Sequence, residues 1–344
     1  MKLDDFDYAL PEELIAQEPL AQRDASRLLV LHRDDGRIDH RGFRDVLEYL
    51  RAGDLLVLND AKVIPARLLG KKVETGGKVE LVLTMPLGDP AGTSWRCIGQ
   101  ASKAIRAGML LDFDGLKAQV LASRGDGAYD VRFEAQALGD ELERVGKIPL
   151  PPYIKREPGP ADRDRYQTVF ARRPGAAAAP TAGFHFTEAL LDEARRRGIE
   201  LARVTLYVGA GTFLPIRVEA VEQHQMHAER FEVSAEAADA VSSARARGGR
   251  VIPVGTTALR TLESAWSEEL GGLRAGDGIS ELFIYPGYRF RAVDALITNF
   301  HLPKSTLLLL VSALAGRERI LAAYREAIEQ RYRFFSYGDA MLIL

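Results

Sequence analysis

The chain has 344 residues, a formal net charge of −2 and a pI near 6.4, with 47% hydrophobic and 27% charged residues. That balance excludes a disordered chain and a polycationic nucleic-acid coat, and the length points to two domains. The longest purely apolar runs, Leu307–Val311 among them, fall far short of the roughly 18 residues of a membrane helix, and the single cysteine, Cys97, excludes an internal disulfide and a cysteine-built zinc or iron–sulfur site.

In chain order, the opening Met1-Lys2-Leu3-Asp4-Asp5-Phe6 is acidic and lacks a secretory apolar stretch, so a cytoplasmic location is expected. Glu12–Ile15 reads as a short helix behind Pro11, and Arg27–His32 as a strand. Phe43–Leu50 is amphipathic and helical, while Asp54–Leu58 is a short buried strand running into the turn Asn59-Asp60. From Val63 the pattern changes. Lys71–Met85 reads as two strands around Gly76-Gly77, followed by short strands at Trp95–Gly99, Met109–Phe113, Lys117–Ser123 and Ala128–Phe133. Such crowding of short strands predicts a small antiparallel barrel or sandwich, inserted over residues 63–149.

The proline-rich Ile148–Ile154 reads as the return linker. Strands and helices then alternate: helix Glu188–Arg197, strand Glu200–Val208, helix Ala235–Arg247, strand Arg250–Val254 and helix Ala258–Glu268. Strands Glu281–Ile284 and Ala295–Thr298, the almost wholly apolar helix Thr306–Ala315 and helix Glu318–Gln330 follow. The alternation predicts a layered α/β lobe made of residues 1–62 and 150–344.

His185, His224, His227 and His301 fall on predicted loops or strand ends, where α/β sheets bind ligands. Any one of them alone is as readily a satisfied hydrogen-bonding residue. His224 and His227 with Glu229 loosely resemble a metal set, but no His-Glu-x-x-His occurs and no metal is expected. Gly255-Thr256-Thr257 lies between a strand and a helix, a seat for a carboxylate or phosphate, although a threonine cap is the commoner meaning. Ser305-Thr306 repeats the arrangement beside Lys304. Gly209–Pro215 also follows a strand, but Pro215 bars an immediate helix and so excludes a dinucleotide or ordinary methyltransferase fingerprint. The aromatic Tyr332–Ala340 reads as core rather than as a base-stacking platform. Basic residues at Lys155-Arg156, Arg163–Arg165, Arg172-Arg173 and Arg195–Arg197 form local patches; each also reads as a solvated loop or helix face, the better reading for Arg195–Arg197.

Several longer stretches carry a resemblance. Leu58–Leu68, Gly146–Ile154, Asp164–Val169, Ala179–Thr187, Tyr207–Pro215, His224–Glu229, Gly255–Glu263, Ile284–Tyr288, Leu296–Thr306 and Arg333–Met341 resemble, in order, the S-adenosylmethionine:tRNA ribosyltransferase-isomerases of queuosine biosynthesis. Ala61 and Ala258 stand where that pattern has a hydroxyl residue and Phe184 where it has leucine, so hydroxyls at 61 and 258 are not expected to be essential.

The resemblance implies a layered α/β/α lobe with an inserted small antiparallel β-barrel. It also implies a reaction in which the ribosyl unit of S-adenosylmethionine moves to 7-aminomethyl-7-deazaguanine at the tRNA wobble position. The sugar rearranges to an epoxycyclopentanediol, and adenine and methionine leave. S-adenosylmethionine is consumed as a substrate, and no metal or organic cofactor is required. The expected partners are tRNAs with GUN anticodons (for asparagine, aspartate, histidine and tyrosine), with no membrane and a monomeric chain.

The implied chemistry needs a base, tuned near neutrality, for the 5′ C–H beside the sulfonium. His301 or His185 is expected in that role with Asn299 orienting, and the second histidine or Asp339 would protonate adenine. Thr256, Thr257 and Arg260 would hold the methionine carboxylate, and Asp60 or Glu229 the amino group or sulfonium. Phe186, Phe300 or Tyr337 would face the sulfonium, with Thr181, Gly183, Gly209, Gly211 and Thr212 also at the substrate. Lys62, Arg67, Lys155 and Arg156 lie at the predicted junction of the two domains and are expected to hold the anticodon loop. A metal-dependent hydrolase and a non-catalytic RNA-binding module are the alternatives; the single cysteine excludes a radical S-adenosylmethionine enzyme.

Overall fold

Every residue of Leu55–Asn59 is buried, as expected of a strand covered on both faces. In a computed structural model, which describes residues 1–125, 127–209, 216 and 218–344, this strand lies inside a nine-stranded sheet. Four neighbours at its centre run parallel: Glu200–Leu206, Leu55–Asn59, Val251–Val254 and Leu296–Asn299. Ala340–Ile343 is antiparallel to Leu296–Asn299 and parallel to Arg27–Leu31, and Ile38–Gly42 closes that edge. Glu229–Val233 and Gly276–Ser280 form the other edge, both antiparallel.

Alternation along the strands divides two cores. Leu55, Val57, Val204 and Leu296 pack with Leu259, Val241, Leu308 and Tyr324 from the helices Ala235–Ala246, Thr256–Ala265, Thr306–Ala315 and Arg317–Glu329. Leu56, Leu58, Ile252 and Ile297 face the opposite way, onto Phe43, Val46, Leu190 and Leu191. These come from the 3₁₀ turn Phe43–Glu48 and the helix Glu188–Arg196. The result is the α/β/α layering the sequence predicts.

Between Arg67 and Phe133 the chain leaves this sheet and closes a six-stranded barrel. Its strands are Arg67–Lys72, Lys78–Pro86, Ser94–Ala101, Leu110–Phe113, Leu116–Gly125 and Ala128–Phe133. Closure is by pairs such as Val131 opposite Val120. Leu81, Cys97, Leu111, Phe113 and Val131 fill the interior, and burial pushes the Cys97 thiol well above the ordinary range. A Cβ on Gly70 would stand 2.3 Å from the Asp112 carbonyl, so the Arg67–Lys72 strand needs glycine where it meets Leu110–Phe113.

Some expectations differ from the structure. Glu12–Leu14 and Phe43–Glu48 are short 3₁₀ turns and not α-helices. The expected strand at Glu281–Ile284 is irregular; pairing occurs one step earlier, at Gly276–Ser280. That edge strand and Ile38–Gly42 are polar and glycine-bearing, so periodicity did not reveal them. Tyr332–Asp339 is a buried turn that precedes the strand Ala340–Ile343, with Phe335 held at φ 69°. Among the described residues, no helix is long and apolar enough to cross a membrane.

Candidate active site

The carboxyl ends of the parallel strands Val251–Val254 and Leu296–Asn299 open into a cavity of about 100 Å³. Gly255 turns the chain there at φ 95°, a conformation that L side chains rarely adopt, and starts the helix Thr256–Ala265 without a side-chain cap. The first N–H groups of that helix therefore remain open beside the cavity. Thr257 and Arg260 also line it, and Thr257 Oγ1 and Arg260 Nη2 are buried without a hydrogen-bond partner among the described residues. The rest of the Arg260 guanidinium is occupied: Nη1 donates to the buried Glu229 carboxylate and Nε donates to the Leu282 carbonyl at 3.3 Å.

On the facing wall, Asn299 Nδ2 donates to the Phe335 carbonyl at 3.0 Å and to His185 Nε2 at 3.2 Å. With Nε2 accepting, His185 carries its proton on Nδ1, 2.7 Å from Ser26 Oγ. His301 is clamped by its backbone: its N–H donates to the Tyr324 hydroxyl at 3.0 Å and its carbonyl accepts from the Tyr8 hydroxyl. Its Nε2 lies 2.9 Å from Thr298 Oγ1. Burial pushes both His185 and His301 down to about 3, so both rings are neutral at pH 7. Both rings are thus weaker bases than the near-neutral one expected, through burial at His301 and through burial with the charges of Arg23 and Arg333 at His185.

A second cavity, of about 520 Å³, opens between the barrel and the lobe. Met85, Trp95 and Arg96 line it from the barrel, and Tyr207 and His224–Arg230 from the lobe. The Glu229–Arg260 pair stands between the two cavities, since Arg260 lines the first and Glu229 the second.

The profile of the family described as queuosine biosynthesis protein matches residues 3–343. The chain belongs to that family. It is 61% identical over 345 residues to an S-adenosylmethionine:tRNA ribosyltransferase-isomerase of Anaeromyxobacter sp. (strain Fw109-5), covering 100% of this chain and 99% of the relative. It is 56% identical over 346 residues to the protein of that name from Geobacter sulfurreducens, covering 100% of both. A crystal structure of S-adenosylmethionine tRNA ribosyltransferase from Thermotoga maritima is similar over 99% of this chain and 100% of that one, with 39% identity and a TM-score of 0.56.

In this queuosine-family chain the tertiary structure gathers Thr181, Thr256, Thr257, Arg260, Asn299, Phe300 and His301 around the first cavity. Gly209 and Glu229 line the second and are joined by a hydrogen bond of 3.3 Å from the Gly209 N–H. Gly211 and Thr212 lie outside the described residues.

Other expected residues stand elsewhere. His185 lies one residue behind the first cavity and reaches it through Asn299. Asp339 accepts from the N–H groups of Arg27 and Arg333 at 2.9 and 2.8 Å, tying the last turn to the first sheet strand. Burial raises its carboxyl, yet it borders neither cavity. Asp60, also raised by burial, accepts from Thr205 Oγ1 at 2.7 Å. Phe186 is fully buried edge-on to Phe43 in the core, Tyr337 donates to Asp162 at 2.8 Å, and Gly183 packs where a Cβ would stand 2.6 Å from the Phe170 ring.

The junction cations divide likewise. Arg67 forks onto Glu80 at 2.9 and 3.2 Å, Arg156 onto Asp162 at 2.6 and 2.9 Å, and Lys155 pairs with Glu12. Only Lys62 of the four is exposed without an ion-pair partner among the described residues. Of the residues weighed as metal ligands, the His224 ring packs edge-on to Phe283, and Glu229 pairs with Arg260. Ser305 is a helix cap, accepting from the Leu308 N–H at 3.2 Å, and Lys304 pairs with Asp4 and Asp7.

Sequence reasoning missed Ser26, Tyr153, Phe335 and Ser336. Ser336 lines the first cavity and shares a 2.6 Å hydrogen bond with Tyr153, which lines it too. The left-handed φ at Phe335, a non-glycine residue on a cavity wall, is the kind of strain that collects at functional sites, and no motif announces it.

Proposed function

We propose that this protein is an S-adenosylmethionine:tRNA ribosyltransferase-isomerase, acting on tRNA in queuosine biosynthesis. The observation that carries the reading is a pair of buried groups, Thr257 Oγ1 and Arg260 Nη2, that have no partner among the described residues at a helix start without a side-chain cap. A buried donor without a partner costs about 1–3 kcal/mol, and a bound carboxylate would remove that cost for both. The helix N-terminus adds open N–H groups and the positive end of the dipole. The methionine carboxylate of S-adenosylmethionine fits this seat.

In this reading the sulfonium lies toward Phe300 and His301, with the 5′ C–H within reach of the neutral His301 ring. Asn299, held by Phe335 and His185, orients the ribose. Glu229 neutralises Arg260 from behind and faces the incoming amine. S-adenosylmethionine is consumed, and the scheme draws on no metal or organic cofactor. The aminomethyl nitrogen of 7-aminomethyl-7-deazaguanine takes the ribosyl carbon, adenine and methionine depart, and epoxyqueuosine remains on the tRNA. The tRNAs are those with GUN anticodons, the chain acts as a monomer, and its place is the cytoplasm.

The test is incubation with S-adenosylmethionine and tRNA carrying the aminomethyl base, followed by nucleoside mass analysis with adenine quantified. Epoxyqueuosine with equimolar adenine is the expected result. Binding of tRNA without adenine release would replace the assignment by a non-catalytic RNA-binding one.

A further inference from the structure

The cations expected at the domain junction are largely neutralised by carboxylates, whereas a second group of cations is not. The strand Ala61–Val63 pairs in parallel with Arg173–Ala176, placing Lys62 opposite Pro174. The N–H groups of Arg172 and Arg173 both donate to the Asp60 carbonyl, at 2.7 and 3.1 Å, so the two side chains leave the same turn. Lys62, Arg172 and Arg173 are exposed. Arg203, on the neighbouring sheet strand, is half-buried, and its Nε has no hydrogen-bond partner among the described residues. Burial, and then the charge of Arg172, hold the Arg203 guanidinium below its ordinary range.

Two carboxylates lie nearby. Asp60 is buried against Thr205. Glu232 is 3.8 Å from Arg173 but is already engaged by Arg230 and the Tyr207 hydroxyl, each at 2.8 Å. Positive charge therefore exceeds negative charge in this cluster.

The cluster adjoins the larger cavity. Pro174 and Gly175, which follow Arg173 directly, form part of its wall, and Gly175 meets the Tyr207 ring within about 3.0 Å of its Cβ position. Tyr207 and Trp95, both half-buried, line the same space from opposite domains. At about 520 Å³ this cavity has the size of a small-molecule site, and the Glu229–Arg260 pair reaches from its wall to that of the smaller one.

We propose that this seam takes the anticodon loop, with Lys62, Arg172, Arg173 and Arg203 on its phosphates and the unstacked wobble base between Trp95 and Tyr207. The inference rests on the reading of the protein as a tRNA-modifying enzyme. It adds which surface binds the RNA and which cavity takes the base. A reaction that joins an amine on the base to a carbon of the other substrate requires the two to meet within bonding distance, and adjoining cavities meet that requirement. Splayed bases stack on aromatic side chains, and phosphates collect on unpaired arginine and lysine.

The experiment measures binding of an anticodon stem–loop, carrying the aminomethyl base, from 50 to 200 mM salt, alongside calorimetric binding of S-adenosylmethionine. For the double variant Lys62→Glu/Arg172→Glu, whose sites are exposed, RNA affinity should fall at least about tenfold. The slope of log affinity against log salt should become shallower by roughly 1.4, the share of two phosphate contacts on a single strand. S-adenosylmethionine affinity should not change. Trp95→Leu should raise KM for tRNA by about tenfold and leave KM for S-adenosylmethionine alone. Wild-type RNA affinity and salt slope in the double variant would overturn the proposal, as would Lys155→Glu carrying the loss instead. Failure of the wild-type protein to bind the stem–loop at any salt would instead overturn the function on which the proposal rests.

Discussion

Asn299 and His185 are joined by a 3.2 Å hydrogen bond, and through it a histidine outside the first cavity holds an amide that lines it. The two histidines expected to share the chemistry therefore have unequal positions: His301 borders the cavity and His185 supports it. Replacing His301 by alanine is expected to lower kcat by roughly 10²–10⁴-fold, the usual loss for a general base. His185→Gln keeps an acceptor toward Asn299 and should lower kcat by about tenfold or less, the worth of one hydrogen bond. Steady-state kinetics decide the matter, and equal losses would make His185 a reacting group.

Thr257 offers a test that separates binding from stability. Its buried hydroxyl has no partner among the described residues, so Thr257→Val removes an unsatisfied group and should raise stability by about 1 kcal/mol. The same change should weaken S-adenosylmethionine binding about two- to tenfold. Urea unfolding and calorimetry on one preparation give both numbers; a gain in both would exclude Thr257 from the carboxylate seat.

Arg260→Ala leaves Glu229 buried without its guanidinium partner. The expected cost is about 3–5 kcal/mol of folding stability, read as a lower urea midpoint, together with loss of S-adenosylmethionine binding. A wild-type midpoint would mean that water or another group takes over the carboxylate.

Acid should act on the buried histidines. Both have pKa values of about 3 in the folded chain against 6.5 ordinarily, so between these values the unfolded chain binds protons that the folded one does not. Stability is unaffected by them above pH 6.5 and falls as pH drops from 6.5 toward 3, by up to about 1.4 kcal/mol per pH unit for each ring. His185→Gln should therefore lose less stability than the wild type between pH 7 and 5, measured as the shift in urea midpoint. Parallel pH curves for the two proteins would show that His185 is protonated normally.

Arg156 is expected to matter for folding and not for RNA. Arg156→Ala strips a forked ion pair from the buried Asp162, whose charge the Tyr337 hydroxyl and the Gly159 N–H do not balance. A loss of about 1–3 kcal/mol in stability with unchanged stem–loop affinity is the expected outcome. A salt-dependent loss of affinity would return Arg156 to the RNA surface.

The layered lobe was legible because its central strands and helices carry long apolar patterns. Leu55–Asn59, Thr306–Ala315 and the barrel strand Ala128–Phe133 all lie within a residue of their expected bounds. The edge strands Ile38–Gly42 and Gly276–Ser280 were not legible: each is held by backbone pairing to its neighbour, Arg27–Leu31 or Glu229–Val233, and its own side chains are largely polar.

The local order of residues alone determined the three short runs that meet at the first cavity, Thr181 after Pro180, Thr256-Thr257 after Gly255, and Asn299–His301 at a strand end. What the fold decided is which side chains those runs still have free. Asp339, Asp60, Tyr337, Arg67 and Arg156 carry suitable chemistry in the sequence and lose it to partners as many as 312 residues away, as in the Arg27–Asp339 hydrogen bond. A buried polar group is drawn to whatever donor or acceptor folding brings beside it, because leaving it unpaired costs more than any local preference can supply. Availability for a substrate is therefore a property of the whole packed chain, and at Arg260 Nη2 and Thr257 Oγ1 it survives because the described residues bring no partner to those two atoms.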